Sequence, residues 1–398
     1  MTTDDSADMP VAMSPAPPQH ITIVIPTLTA GGAARVVSNL TAAWAERRWA
    51  INILTFDGGD SVFPIHSAVI RRPLNLVADS YGSPWRGLWN NLKRLRILRK
   101  EISSTRPDFV LSFIDQTNVM TVLALLGTGM KVAVWENTDP AGAENSRYTA
   151  NWGRRFARFV YPFAGAIVAQ TNEAAAFLRQ SFGQKVVAVS NPVVPPPAVE
   201  PMKLKRPAII GLGRLVQEKG FDLLLRAYAV NTSRFPDWHL YIFGEGPQRS
   251  QLEGLLQELG LSGRVELPGA LTEPTVALRS GDIFVVSSYI EGFSLVLAEA
   301  MACGLPAIAT DAGGPRSIIR HEYDGLVVPP GDVDLLASAM VRLMGDDALR
   351  ATFAARAPDV LKRYSLQNAL AGWDALFDWM RGHRRYAGSH SGISDSRS

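Results

Sequence analysis

The chain has 398 residues, of which 47% are hydrophobic, a formal net charge of +3 and one cysteine, Cys303. The length predicts two domains, the lone thiol excludes a disulfide framework, and no run reaches the roughly 18 apolar residues that a membrane span needs. Residues 1–19 lack the apolar stretch of a secretory signal, so we expect a cytoplasmic protein. The polar residues 1–19 and 384–398 are expected to be disordered tails.

Apolar, β-branched runs alternate with helical patterns through the first half of the chain. The predicted strands are Ile21–Ile25, Ile51–Phe56, a short one around Val69–Ile70, Phe109–Phe113, Val132–Trp135, Ala166–Ala169 and Val186–Val189. Such alternation predicts an open parallel sheet covered by helices on both faces. We therefore expect a Rossmann-like domain over residues 20–190.

Polar and glycine residues follow several of these strands. Gly31 and Gly32 come after the first strand and open a helix, and glycine lets the main chain approach a ligand closely. Asp115, Asn118 and Asn137 follow later strands, at the carboxyl ends where such sheets bind ligands. A phosphate contact and a polar acceptor site are predicted, with a tight turn and loop or cap residues as the alternatives.

The first half also carries most of the positive charge. Residues 20–200 contain 19 Lys and Arg against 12 Asp and Glu, a net of +7, whereas residues 201–398 contain 21 against 22, a net of −1. Residues 84–100 and 151–163 mix basic side chains with aromatic ones. Basic amphipathic helices with tryptophan suit an anionic membrane surface, so we expect peripheral contact there. Ordinary helices packed on the sheet are the alternative, and no nucleic-acid motif is present.

A proline-rich linker, residues 191–206, precedes a second run of strands and helices. The predicted strands are Ile209–Leu212, Trp238–Phe243, Arg264–Leu267, Ile283–Val286, Ala307–Thr310 and Gly325–Val328, and the closing helices lie around Val333–Met344, Asp347–Ala357 and Ser365–Met380. This pattern predicts a second Rossmann-like domain over residues 207–364. The last helix, within residues 365–383, is expected to return to the first domain.

Two acids and two cations of the second half have the layout of a sugar-phosphate site. Glu291 and Glu299 flank the start of a helix near Ser294, whose first N–H groups can hold an anion, while carboxylates accept hydrogen bonds from hydroxyls. Arg214 and Lys219 bracket another strand-to-helix turn and can clamp a diphosphate. Taken singly, each of these residues is an ordinary solvated charge; taken together, they favour binding.

Neither a cofactor nor a metal is expected. The G-x-G-x-x-G fingerprint of dinucleotide sites is missing from the first strand-to-helix turn. The 6 histidines are scattered, and no D-x-D pair lies between strands. A pyridine nucleotide, a flavin and a bound metal are therefore all unsupported by the sequence.

Four motifs together resemble the retaining family-4 glycosyltransferases of GT-B fold. They are G-R-L-x(3)-K-G at Gly213–Gly220, G-x-G-P at Gly244–Pro247, E-G-F-S-L-V-L-A-E-A-M-A-C-G-L-P from Glu291, and D-G-L-V-V-P-x-G-D at Asp324–Asp332. The phrase WENTDP at Trp135–Pro140, with GGAARV at Gly31–Val36, is similar to the subgroup that builds glycan repeat units on polyprenyl-diphosphate lipid. The resemblance covers roughly residues 20–380 and is strongest in the second half.

The resemblance implies roles for these positions. Glu299 would hold the ribose hydroxyls of the nucleotide, and Glu291 would contact the donor sugar. The diphosphate would meet Arg214 and Lys219 in place of a metal. Further donor contacts are implied for main-chain groups at Gly31, Gly32, Gly244, Gly292, Phe293, Ser294 and Leu295, with the base near Val265–Leu267. Asp115 stands where relatives place an acid or a histidine beside the reacting sugar.

The implied reaction moves a sugar from a nucleotide sugar, with a UDP-sugar favoured, to a hydroxyl of a lipid-linked glycan with retention at the anomeric carbon. A GDP-mannose-dependent mannosyltransferase is the alternative within the enzyme class. A non-catalytic nucleotide-sugar-binding subunit of a polysaccharide assembly complex is the alternative from another class.

Overall fold

A computed structural model describes residues 19–29, 31–76, 84–137, 139 and 152–382, without the side chains of residues 84–89 and 152–155. Most of both predicted tails lies outside these ranges, as do residue 151 of the second basic segment and parts of the WENTDP phrase. The described residues form two parallel sheets, each covered by helices on both faces.

The first sheet has seven parallel strands in the order β3-β2-β1-β4-β5-β6-β7. They are β1 (His20–Ile25), β2 (Ala50–Thr55), β3 (Ile70–Pro73), β4 (Phe109–Phe113), β5 (Val132–Glu136), β6 (Ala166–Ala169) and β7 (Val186–Ala188). The helices between them are α1 (Gly32–Glu46), α2 (Pro84–Thr105), α3 (Asp115–Leu125), α4 (Trp152–Val160) and α5 (Asn172–Phe182). The apolar runs of the central strands are buried because helices cover both faces.

The second sheet has six parallel strands in the order β10-β9-β8-β11-β12-β13. They are β8 (Ala208–Leu212), β9 (His239–Phe243), β10 (Val265–Gly269), β11 (Ile283–Val286), β12 (Ala307–Thr310) and β13 (Gly325–Val328). Its helices are α6 (Phe221–Asn231), α7 (Arg249–Glu258), α8 (Thr275–Leu278), α9 (Leu295–Ala302), α10 (Pro315–Ile318), α11 (Val333–Gly345), α12 (Asp347–Arg356) and α13 (Val360–Arg363). The two parallel sheets confirm the predicted α/β class with two Rossmann-like domains.

The last described helix, α14 (Leu366–Arg381), packs against the first domain. Its Trp373 ring centroid lies 5.9 Å from that of Trp44, and its Phe377 lies 4.7 Å from Phe109 at the start of β4. Buried aromatic pairs at these separations add to the hydrophobic stabilisation. The chain therefore ends its second sheet and then crosses back to cover the core of the first.

No helix in the described ranges has the length and apolar composition to cross a bilayer. The 22-residue helix α2 is the longest of those described, but Lys and Arg recur along it.

Candidate active site between the two domains

Loops from the carboxyl ends of both sheets meet at close range. A Cβ atom on Gly292, which follows β11, would lie 2.2 Å from the carbonyl oxygen of Asn137, which follows β5. A Cβ on Gly314, which follows β12, would lie 1.3 Å from the carbonyl oxygen of Gly292. Since a real Cβ does not come within 3.0 Å of such atoms, only glycine fits at either position. Gly292 therefore lets the second domain touch the first along the candidate cleft, and Gly314 lets two loops of the second domain pack against each other.

Gln170, which follows β6, links the two sides of this seam. Its Nε2 donates to Asn137 Oδ1 at 2.8 Å, and its Oε1 accepts a hydrogen bond from the backbone N–H of Phe293 at 2.9 Å. That N–H is one of the groups predicted to touch the donor diphosphate. This N–H donates to a side chain of the opposite domain, and no sequence pattern singles out Gln170.

Lys219 and Glu291, predicted as separate donor contacts, form an ion pair. Lys219 Nζ donates to Glu291 Oε2 at 2.5 Å, and the hydroxyl of Ser288 donates to the same oxygen at 3.0 Å. The backbone of Glu291 is fixed by its N–H to the carbonyl of Ala312 at 2.9 Å and by its own carbonyl to the N–H of Gly314 at 3.0 Å. The carboxylate is therefore held in place before any ligand arrives.

The turn that carries Lys219 depends on the glycine after it. Gly220 has φ of 59°, in the left-handed region, and a Cβ there would lie 2.1 Å from the carbonyl oxygen of Ser287. The Ser287 hydroxyl donates back to the Lys219 carbonyl at 3.1 Å, and the N–H of Tyr289 donates to the carbonyl of Glu218 at 2.8 Å. The turn after β8 is thereby bonded to the loop after β11, which brings Lys219 to Glu291.

Arg214 lies in the same turn and is exposed. Its guanidinium has no hydrogen-bond, ion-pair or ring partner among the residues that the structure describes. A Cβ on Gly244, where φ is 146°, would lie 1.8 Å from the carbonyl oxygen of Gly213, and the N–H of Leu215 donates to Glu245 O at 2.9 Å. The G-x-G-P loop thus supports the main chain around Arg214 and leaves its side chain available to an anion.

The start of α9 faces the glycines that open α1. A Cβ on Gly32 would lie 3.9 Å from the Cβ of Leu295, and Gly31 has φ of 95° with open space around it. Ser294, just before α9, is 2% exposed, and its hydroxyl oxygen has no partner among the described residues. Gly31 and Gly32 of the first domain thus face Ser294 and Leu295 of the second across the cleft, and their contact with a donor stays a prediction.

Glu299, one turn into α9, is paired with a residue of the first domain. Its Oε1 lies 2.9 Å from Nη1 of Arg35 on α1, and the two side chains are 16% and 19% exposed. Burial raises the pKa of Glu299 to about 7, while the positive charge of Arg35 opposes the rise. Arg35 lies within the GGAARV motif, but no sequence pattern singles out its side chain.

The predicted base site lies on the edge strand β10, whose pairing with β9 is irregular between Glu266 and Gly269. The N–H of Val265 donates to Leu261 O at 3.2 Å, and the carbonyl of Leu267 accepts from Arg249 Nη2 at 2.8 Å. These two main-chain groups already have internal partners, and the base contact stays a prediction.

The predicted acceptor residues have different surroundings. Ile114, a β-branched residue with φ of 75°, joins β4 to α3; such backbone strain clusters at functional sites. Asp115 follows it at the start of α3 and is partly exposed. Asn118, by contrast, is 0% exposed, and its Nδ2 donates to the carbonyl of Trp135 at 2.9 Å and to the hydroxyl of Tyr161 at 3.2 Å. This burial argues against a direct contact between Asn118 and an acceptor.

A buried carboxylate completes that network beneath the cleft. The hydroxyl of Tyr161 donates to Glu136 Oε1, and burial followed by the charge of Glu136 raises the pKa of Tyr161 well above its usual value. A small polar cavity opens beside it, lined by Glu136, Asp139, Gln170, Thr171, Ala174, Gly292 and Gly314. The first domain therefore contributes polar groups to the cleft on the side opposite Glu291.

Cys303 lies just after α9, and its thiol is half-buried. Burial raises the pKa of the half-buried Cys303 thiol to about 11, so that it stays protonated at neutral pH. Within the described ranges, no group of three or more His, Cys, Asp or Glu side chains could hold a metal ion. The prediction of a metal-free reaction stays a prediction.

Two Rossmann-like domains that bring cations, carboxylates and a helix N-terminus to a shared cleft define the glycosyltransferase class of GT-B fold. Comparison with known families agrees. The model of glycosyl transferases group 1 matches residues 197–360, and that of the glycosyl transferase 4-like domain matches residues 31–197. The chain belongs to this glycosyltransferase family, as the motifs predicted.

Two individual relatives illustrate the similarity. An exopolysaccharide phosphotransferase of Streptomyces coelicolor is 38% identical over 222 residues, or 54% of this chain and 23% of that protein. The GalNAc-α-(1→4)-GalNAc-α-(1→3)-diNAcBac-PP-undecaprenol α-1,4-N-acetyl-D-galactosaminyltransferase of Campylobacter jejuni is 24% identical over 358 residues, or 89% of this chain and 96% of that enzyme.

Among solved structures, HepE of Anabaena in complex with UDP and glucose superposes with a TM-score of 0.72 at 18% identity. The match covers 90% of this chain and 99% of that one. This likeness shows the fold. The match to the Streptomyces protein, by contrast, spans less than a quarter of that relative's length.

Proposed function

We propose that the protein moves a sugar, with retention, from a nucleotide sugar to a hydroxyl of a lipid-linked glycan, and that a UDP-sugar is preferred to GDP-mannose. The observation that carries the proposal is that the Lys219–Glu291 pair and Glu299 lie near the start of α9. Arg214 lies in the same turn as Lys219, and its guanidinium has no partner among the residues that the structure describes. UDP is favoured because the fold matches HepE, which was solved with UDP. The lipid-linked acceptor is favoured by the match to the Campylobacter enzyme, whose name specifies an undecaprenyl-diphosphate glycan.

In the proposed reaction the bond between the sugar and the diphosphate breaks through an oxocarbenium-like state, and negative charge grows on the leaving oxygen. Arg214, Lys219 and the N-terminus of α9 oppose that charge. One preorganised group of this kind is worth roughly 3–4 kcal/mol. These two cations take the place of a metal, so we propose a metal-independent transfer.

Glu291 has a binding task in this scheme. Its carboxylate is fixed by Lys219 and Ser288, and a carboxylate has further acceptor sites for hydroxyls of the donor sugar. Asp115, across the cleft on α3, is the proposed carboxylate on the acceptor side. Closing the domains around both substrates would exclude water and limit hydrolysis of the donor.

The protein is proposed to work at the cytoplasmic face of a membrane. Phe156 and Phe159 on α4 and Phe163 in the 3-10 turn after it are 54%, 71% and 67% exposed, and Arg158 beside them is exposed. Exposed aromatic side chains with basic neighbours suit an anionic bilayer surface. We propose that residues 151–163 and 84–100 contact that surface, where a polyprenyl-linked acceptor would be presented.

Ligand binding and turnover test the proposal directly. Calorimetric titration of the purified protein with UDP and with GDP should give the tighter constant for UDP, and GDP binding alone would favour the mannosyltransferase alternative. Donor sugars are then incubated with a lipid-diphosphate acceptor extract, and products are identified by mass. Binding of UDP without transfer, and without slow hydrolysis of any donor, would instead support the non-catalytic binding subunit.

A further inference from the structure

The contact between Arg35 and Glu299 crosses the cleft between the two domains. Arg35 lies one turn into α1, and its guanidinium sits over the ring of Phe63, 5.3 Å from the centroid. From there Nη1 reaches Glu299 Oε1 at 2.9 Å, with both side chains largely buried. A cation held by an aromatic ring on one domain therefore fixes a carboxylate on the other.

Glu299 needs such a partner because its other surroundings disfavour a negative charge. Burial is the largest cause of its raised pKa, and Glu273, before α8, raises the pKa further. The thiol of Cys303, just after α9, stays neutral because burial and the charge of Glu299 raise its pKa, while Arg279 lowers that pKa. Arg35 is the group that lowers the pKa of Glu299, which nevertheless remains about 7.

The charge state of Glu299 decides what it can bind. An ionised carboxylate has about four acceptor positions, so it can bind Arg35 and still accept hydrogen bonds from two neighbouring hydroxyls. A protonated carboxyl group has lost part of that acceptor capacity and presents a donor in its place. The 2′- and 3′-hydroxyls of a ribose are both donors and therefore match the ionised form.

We propose that Arg35 is a positioning residue for the donor, holding Glu299 as an oriented carboxylate that accepts the ribose hydroxyls. The proposal rests on the proposed function, which assigns Glu299 to the ribose. Because Arg35 belongs to the first domain, the ribose site is complete only when the two domains are closed. Nucleotide affinity is therefore coupled to domain closure through one ion pair.

The test is calorimetric titration of UDP into the full chain between pH 6 and pH 9, for the wild type, Arg35→Met and Arg35→Lys. The wild-type affinity should rise through pH 7 as Glu299 ionises. Loss of an opposite charge raises a carboxyl pKa by about 1–3 units, so Arg35→Met should weaken binding about 10-fold or more at pH 7. That deficit should shrink steadily toward pH 9, and Arg35→Lys should keep a profile close to the wild type.

Glu299→Gln is the matched control, because it removes the titrating group. Its UDP affinity should be weak and independent of pH, and adding Arg35→Met to it should cause little further loss. A deficit of Arg35→Met that is equal at every pH, or no deficit at all, would overturn the proposal, because Arg35 would then not act through the charge of Glu299.

A readout without nucleotide separates this inference from the proposed function. Two differences in melting temperature are measured against pH without nucleotide: wild type minus Glu299→Gln, and Arg35→Met minus the double variant. Each difference should change as Glu299 ionises. The second difference should change at the higher pH midpoint, because it lacks the charge of Arg35. A midpoint that stays in place overturns the role of Arg35. If the midpoint moves but Glu299→Gln binds UDP as tightly as the wild type, the role of Arg35 stands. The assignment of Glu299 to the ribose is then refuted.

Discussion

Replacing Lys219 by methionine removes one of the two cations proposed to oppose charge on the leaving diphosphate. Methionine keeps a long unbranched side chain, so the change removes mainly the ammonium group. A preorganised group that stabilises developing charge is worth about 3–4 kcal/mol, or roughly 10²–10³ in turnover. We expect kcat to fall by that factor, with a smaller effect on the Kd for UDP, because Arg214 and the start of α9 still contact the diphosphate.

The same change should cost much less in stability. Lys219 is 25% exposed, and its partner Glu291 is 12% exposed, so Glu291 is left with the Ser288 hydroxyl but without a cation. A buried polar group that loses one partner costs about 1–3 kcal/mol. Spread over a two-domain chain, this lowers the melting temperature by a few degrees only. The folded fraction at 25 °C should therefore remain close to one, and the loss of turnover cannot be assigned to unfolding.

The assay measures product by mass at saturating donor, with soluble yield and melting temperature recorded for each variant. Lys362→Met is the matched control, because Lys362 is 85% exposed and pairs with Asp359 at 3.1 Å on the surface of the second domain. Its turnover should stay within about twofold of the wild type, since exposed ion pairs contribute little. Turnover of Lys219→Met that equals the control would refute the proposed role of this cation.

Three further changes test other parts of the account. Gly314→Ala places a Cβ only 1.3 Å from the carbonyl oxygen of Gly292, so melting temperature and UDP affinity should both fall. Gly254→Ala is the control, because Gly254 is exposed on α7 with open space around it. It should stabilise the protein by up to about 1 kcal/mol. The pKa of Glu299 is about 7 in the folded protein and near 4.5 in the unfolded chain, so ionisation at rising pH favours unfolding. Between pH 5.5 and pH 8 the free energy of unfolding of the wild type should fall by about 2 kcal/mol relative to Glu299→Gln. Urea unfolding measures this difference. Phe159→Ser should reduce sedimentation with anionic vesicles, whereas Val230→Ser, which changes an exposed residue of the second domain, should not; equal effects would contradict the proposed membrane surface.

The sheets could be predicted because their signal is local. A buried parallel strand must be apolar along its whole length, and Ile283–Val286 was bounded correctly from that rule alone. The helix α14 was predicted at Ser365–Met380 and observed at Leu366–Arg381, with Ser365 as the cap that accepts from the N–H of Asn368. Repetition of the pattern after a proline-rich linker then gave the second domain.

The partners of the site residues could not be predicted, because they are far apart in the chain. Arg35 and Glu299 are separated by more than half of the sequence, and Gln170 meets Phe293 across the domain boundary. Neither Arg35 nor Gln170 has a local pattern that distinguishes it from a surface residue. Asn118 shows the opposite case, because its position after a strand resembled that of a rim residue, while the helix turned its amide inward to Trp135.

Several residues predicted to bind the donor are bonded to other residues of the protein. Those bonded groups resemble the chemical groups of the proposed donor. The carboxylate of Glu291 meets Lys219 where a phosphate would, and the amide oxygen of Gln170 meets the N–H of Phe293. A buried charge without a partner is expensive, so these contacts order the site residues. Under the proposed function, donor binding would exchange some of these partners for a diphosphate. The diphosphate would also pair with Arg214, whose guanidinium has no partner among the residues that the structure describes. Because Gln170 and Arg35 both come from the first domain, that exchange must also alter how the two domains hold each other.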